Sequence, residues 1–201
     1  WFAGAAPRCG TAKGRAAGRE AGGGLDRFAF WGLPVGGDGR LDSCAAVVCH
    51  GKLLGRVPKT HLPSDGEFYE KRQFNPAPAG VRTLRFAGPA VPLGPQPLFR
   101  CQETPEFCHA AGVCEDLWAP APPSVELART GATAILNPPA STELVGQADY
   151  RRSLVPGPSA RLMCGYVYAD AGEGASNTEV LFAGHNLLAD TGTLLAERRL
   201  D

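Results

Sequence analysis

The sequence predicts a layered domain of mixed helix and strand, α/β or α+β in class. Two observations carry that expectation. From residue 28 onward, short apolar runs alternate with Gly-rich turns, the pattern of β-hairpins. Farther along, apolar runs alternate with stretches of helical pattern, as strand–helix units do. The chain has 201 residues, enough for one sizeable domain with a core.

Residues 1–26 are rich in Gly, Ala and Arg without an apolar period, and a poorly ordered lead-in is expected there. It runs into "GGGLDR" (Gly22–Arg27), which loosely matches the S-G-G-x-D-S loop that grips pyrophosphate in ATP-pyrophosphatase domains. Gly22 and Arg27 stand where that loop has its hydroxyls, so a flexible glycine stretch is the preferred reading. "FAFWGLPV", "LDSCAAVV" and "LLGRVPK" then read as three strands joined by the turns "GGDG" and "CHGK". "TLRFAG" and "AVPLG" form another hairpin. "QPLFRC" and "CHAAGVC" are strands, the second ending at Cys114. "PPSVELARTGA" is a helix with proline at its start and Gly131 at its end. "TAILN" is a buried strand. "ELVGQADYRRSLV" is a helix that Pro156 and Pro158 should break or kink, because they remove backbone donors. "RLMCGYVYAD" leads into a strand, and two more strands flank a turn at Thr191–Gly192.

Composition narrows the function. Twenty basic residues balance twenty acidic ones, which disfavours nucleic-acid and anionic-membrane partners, since both need a concentrated positive field. No apolar run reaches the length of a membrane span, and the opening residues make an unconvincing signal peptide. The seven cysteines are therefore read as reduced thiols of a cytoplasmic protein. Cys101, Cys108, His109 and Cys114 lack the tight spacing of a zinc site, so no metal is expected.

Three stretches could carry chemistry. Cys114, in "AAGVCEDLWAP", sits where a strand gives way to a polar turn. Such a turn exposes a thiol and aims the next backbone N–H, that of Glu115, at a developing oxyanion. The residues alone leave Cys114 open between nucleophile and structural thiol, the commoner case. Lys59, beside Pro58 at a strand end, is a candidate cation for a tetrahedral intermediate, and Glu70 in "EFYEKRQF" is a candidate partner for its ammonium. Each has a plain alternative as a solvated charge. The histidines, His50, His61, His109 and His185, fall in turn-like or strand-edge contexts, and nothing selects a Cys–His dyad through His61 or His109.

Taken together, "RVPKTHLP…EFYEKRQF", "GVCEDLWAPAPPS", "GATAILN", "ADYRR" and "SARLMCGYVYADAGEG" closely resemble the nitrilase-like (carbon–nitrogen hydrolase) glutaminase domain of glutamine-dependent NAD+ synthetases. The resemblance runs in order through residues 28–201. It implies a four-layer α-β-β-α sandwich, N-terminally incomplete, with a partial hydrolase domain over 27–201. It implies a Glu–Lys–Cys triad that hydrolyses the side-chain amide of L-glutamine. Cys114 then matches the nucleophile, Lys59 the triad lysine, Glu70 the additional glutamate near that lysine, and Ser141 a serine that binds glutamine. The ammonia would pass to a synthetase domain, absent here, that uses ATP and Mg2+ to amidate deamido-NAD+; no cofactor is expected in this chain. Assembly into homo-oligomers is a property of the parent family.

The chain also departs from the family pattern. The triad glutamate, the general base, should precede Trp1, and Glu20 matches nothing in the family. Asp65 stands for a tyrosine and Gln147 for a basic residue, both glutamine contacts in the family. Gly112 stands for a glutamate, and Pro139, Pro156 and Pro158 fall at unusual places. Three readings follow: a piece of an active synthetase, a catalytically silent copy, or a hydrolase of another amide. The first is preferred.

Overall fold

In a computed structural model of the chain, the described residues are 28–37, 39–50, 52–66, 68–85, 90–172, 175 and 180–199. The lead-in 1–26, with Glu20 and the "GGGLDR" stretch, lies outside them. The chain divides into two compact units, one ending at Pro97 and one spanning Leu98–Asp201.

The first unit is a five-stranded sheet of β1 (Phe28–Gly37), β2 (Arg40–Cys49), β3 (Lys52–Pro58), β4 (Arg82–Arg85) and β5 (Ala90–Leu93), in the order β1-β2-β3-β5-β4. The expected hairpins form. β1 pairs antiparallel with β2 from Phe28↔Cys49 to Gly37↔Arg40, and β2 pairs with β3. The tight β2–β3 turn puts His50 at φ 48°, in the left-handed region. β2 is the central strand of this meander, and its run Cys44–Val48 is buried throughout. Val35, Cys44 and Leu93 form a small core cluster with Leu33 packed against it. β5 returns parallel to β3, with Arg56 opposite Leu93. The long connection from β3 to β4 carries a 3-10 turn at Glu70–Arg72.

The second unit is a six-stranded sheet of β6 (Phe99–Arg100), β7 (Cys108–Ala111), β8 (Ala134–Asn137), β9 (Gly165–Ala169), β10 (Asn186–Asp190) and β11 (Thr193–Arg198), in the order β11-β10-β9-β8-β7-β6. β7, β8 and β9 run parallel, and the outer pairings are antiparallel. The parallel strands need crossovers, which helices supply. They are α1 (Ser124–Arg129) between β7 and β8, and α2 (Gln147–Leu154) and α3 (Pro156–Leu162) between β8 and β9. The core gathers Leu127 of α1, Val155 at the α2–α3 junction, Ile135, Tyr166, Tyr168 and Leu187. Each large apolar side chain buried this fully contributes about 2 kcal/mol.

Three expectations are adjusted. The strand expected to reach Cys114 ends at Ala111, and Cys114 opens a 3-10 turn over Cys114–Leu117. The helix expected from residue 143 begins at Gln147, because Gly146 takes φ 83° and breaks the helical path. Pro156 divides the helical stretch, as expected, and then starts α3 at its first position, where the missing N–H has no intrahelical partner to lose.

Candidate active site

In the first unit the site is a lysine–glutamate pair. The end of β3 fixes Lys59: its N–H donates to the Ser43 carbonyl at 2.7 Å, and its carbonyl accepts from Ala77 N–H at 2.9 Å. The side chain is 1% exposed, and Nζ donates to both Glu70 oxygens, at 2.8 and 2.9 Å. Glu70 opens its 3-10 turn, with its N–H on the Pro63 carbonyl and its own carbonyl accepting from Gln73 and Phe74. The buried Phe74 ring anchors the turn. The charge cluster thus divides: Glu70 turns inward, while Lys71 and Arg72 are exposed. Asp65 is exposed, in a turn where Gly66 takes φ 58°.

In the second unit the site gathers at the carboxyl ends of the parallel strands, where open α/β sheets present their ligands. Gly112 N–H donates to the Leu136 carbonyl at 3.0 Å and carries the β7–β8 pairing one residue past the strand. Val113 N–H donates to Asp116 Oδ2 at 2.9 Å, and Asn137 Nδ2 donates to the Cys114 carbonyl at 3.3 Å. These bonds hold the half-buried Cys114 at φ 49°. A residue with a side chain pays about 1–3 kcal/mol for such a backbone, which its surroundings must impose. Asp116 and Asn137 impose it from buried positions. Glu115 follows Cys114 within the same turn, and the Trp118 ring stacks on Tyr150 of α2 with centroids 5.4 Å apart.

Ser141 lies beyond β8 and is held from three sides. Its N–H donates to Asp170 Oδ1 at 2.8 Å, its carbonyl accepts from Ala183 N–H at 2.9 Å, and its Oγ accepts from Arg151 Nη1 at 3.1 Å. Burial pushes the Asp170 carboxyl up to about 7, although the N–H groups of Ser141 and His185 and the Arg151 charge pull the other way. Burial likewise pushes the Tyr166 and Tyr168 phenols up. Gln147, the first residue of α2, lies one helical turn before Arg151.

The structure therefore joins Lys59 with Glu70 in one unit. In the other it arranges Cys114 with Glu115 in one turn, and Ser141 close to the helix that starts at Gln147. Sequence reasoning missed Asp116, Asn137, Arg151 and Asp170, the residues that hold these groups. Arg151 and Asn137 lie inside family-like stretches, but only their burial reveals the role. His185, read as strand-edge, is wholly buried between Arg151 and Glu197. His109 packs its ring edge-on to Phe107, at 4.4 Å between centroids. Among the described residues, no group of three or more His, Cys, Asp or Glu side chains is arranged to hold a metal.

No family model matches the chain. Over 92% of its length it superposes on a glutamine-dependent NAD+ synthetase from Cytophaga hutchinsonii, with a TM-score of 0.79 and 28% identity, covering 30% of that chain. It superposes over 95% on a nitrilase-superfamily amidase from Nesterenkonia, with a TM-score of 0.70 and 19% identity, covering 64% of that chain. The fold is thus the one found in the nitrilase superfamily of carbon–nitrogen hydrolases. By sequence the chain is a relative of the glutamine-dependent NAD+ synthetases, and the similarity falls on their nitrilase-like part. It is 40% identical over 166 residues to the protein of that name from Mycobacterium tuberculosis, and 37% identical to that of Mycobacterium leprae. The match takes in 83% of this chain and 24% of each relative, so the chain spans about a quarter of the curated relatives' length.

Proposed function

We propose that this chain is part of the glutaminase region of a glutamine-dependent NAD+ synthetase and cleaves the side-chain amide of L-glutamine. The observation that carries this reading is Cys114 itself. It is a half-buried thiol on a left-handed backbone at the carboxyl ends of parallel strands, inside the "CEDLW" stretch that carries the family resemblance.

In this mechanism the Cys114 thiolate attacks the amide carbon and the Glu115 backbone N–H stabilises the oxyanion, and Lys59 takes the role of the family's triad lysine. Ammonia leaves with the proton released by the thiol, and water then cleaves the thioester to give glutamate. Glu70 orients Lys59 through its bidentate bond. Ser141 and Gln147 contact the amino-acid end of the substrate, and Asp65 stands where the family has a tyrosine that contacts glutamine. No residue of this chain is assigned as the general base. The ammonia goes to a synthetase domain of the parent protein, where ATP and Mg2+ act. A cytoplasmic location and a homo-oligomeric parent belong to the same proposal.

A second reading, altered amide specificity, is favoured by one observation. Gln147 offers a neutral amide where the family has a cation, and this weakens the grip on a carboxylate.

Both readings are tested by alkylation with 6-diazo-5-oxo-L-norleucine, an electrophilic glutamine analogue. Saturable labelling of Cys114, prevented by L-glutamine, is the expected result. Saturation protected only by other amides supports the second reading. Labelling that is unsaturable and spread over several thiols removes the amidase assignment.

A further inference from the structure

Arg151 is 0% exposed, a condition arginine accepts only when its donors are satisfied. Its guanidinium meets four acceptors on two sides. Nη1 donates to Ser141 Oγ at 3.1 Å and to the Thr142 carbonyl at 3.3 Å, and Nη2 donates to Glu143 Oε2 at 2.9 Å. These three acceptors are consecutive residues of one loop. On the other side Nε donates to His185 Nδ1 at 3.0 Å. Because Nδ1 accepts, the ring proton sits on Nε2, which donates to Glu197 Oε1 at 2.8 Å. Glu197 is clamped by Arg152 at 2.7 Å, and Glu143 by Arg199 at 2.9 Å. The chain of bonds thus runs from β11 through His185 and Arg151 to the hydroxyl of Ser141.

We infer that Arg151 is a positioning residue of the glutaminase site: it aims Ser141 at the amino-acid end of the substrate and leaves the chemistry at Cys114 untouched. The inference rests on the amidase reading above and deepens it. A neutral side chain, or a point-charge ammonium, cannot serve Ser141, Thr142, Glu143 and His185 at once, whereas the planar guanidinium fork can. The hydroxyl accepts from Arg151, which leaves its own proton to be donated to an acceptor such as a carboxylate. Substrate recognition is therefore sensitive to Arg151, while attack by the thiolate is not.

The test is the concentration dependence of 6-diazo-5-oxo-L-norleucine labelling at Cys114, followed by mass spectrometry. Arg151→Lys should raise the half-saturating concentration about tenfold, the worth of one lost hydrogen bond to a charged group. The limiting rate, and the rate with iodoacetamide, should stay within about twofold. Ser141→Ala should give the same shift, and the double variant no more than either single one. Equal losses with both reagents would show general loosening and overturn the inference, as would an unchanged half-saturation. Should Arg151→Lys fail to fold, Glu143→Gln keeps the arginine and slackens its hold on the loop. A rise of about threefold is then expected, and no change overturns the inference. Non-saturable labelling of the unsubstituted chain would overturn the amidase reading and this inference together. Saturable labelling that is indifferent to Arg151→Lys overturns this inference alone.

Discussion

Lys59 keeps its ammonium almost wholly out of water, against both oxygens of Glu70. Removing one member of such a pair strands the other, and the stranded charge is the larger part of the cost. Lys59→Met should therefore destabilise the chain by about 3 kcal/mol, and Lys59→Met with Glu70→Leu by clearly less; denaturant melts of the three proteins decide it. Asp170 supplies a pH signature. Its carboxyl is raised from 3.8 to about 7, so the folded chain holds that proton more tightly than the unfolded chain. This contribution to stability is complete below pH 3.8 and is lost as pH rises through about 7. Relative to Asp170→Asn, which does not titrate, the natural chain should lose stability between those two values and run parallel to it above. A pair of melting curves across that range checks the sign, and a gap that is constant with pH refutes it. Chemically, Cys114→Ala should abolish labelling by the glutamine analogue while leaving the melting temperature near its original value, since a strained alanine replaces a strained cysteine.

The elements follow local rules that the sequence displays, and the turns show this best. The Thr191–Gly192 turn joins β10 to β11 with φ of 44° and 89°, the positive pair that a two-residue hairpin favours. A Cβ at Gly192 would also come within 2.8 Å of the Ala160 Cβ on α3. Gly192→Ala should cost about 1–3 kcal/mol from backbone strain and contact together. Gly36→Ala in β1 would meet nothing closer than 3.8 Å and should be close to neutral. Thermal denaturation of both variants separates the cases. Hairpins and the proline break were legible because each is set by nearby residues. The start of α2 was less so: Gly146 is the one local break signal in "TELVG", and the Thr142–Phe182 bridge that holds the preceding loop is set by a residue distant in the chain. The strand ending three residues before Cys114 was equally hidden. The carboxylate of Asp116 captures Val113 N–H and diverts the chain, a choice made by burial and not by propensity.

At the scale of the whole molecule, the chain spans about a quarter of its curated relatives' length. What the sequence determined by itself was the strand and turn pattern, the family likeness, and the identity of Cys114, Lys59, Glu70 and Ser141 as candidates. Periodicity, turn chemistry and short motifs are local, and a single chain displays them. Only the tertiary structure decided that Lys59 and Glu70 form a buried pair, that Cys114 is held on a left-handed backbone, and that Arg151 grips the Ser141 loop. Those facts depend on burial and on bonds between residues distant in the chain, such as Arg151 and His185, which no local pattern encodes.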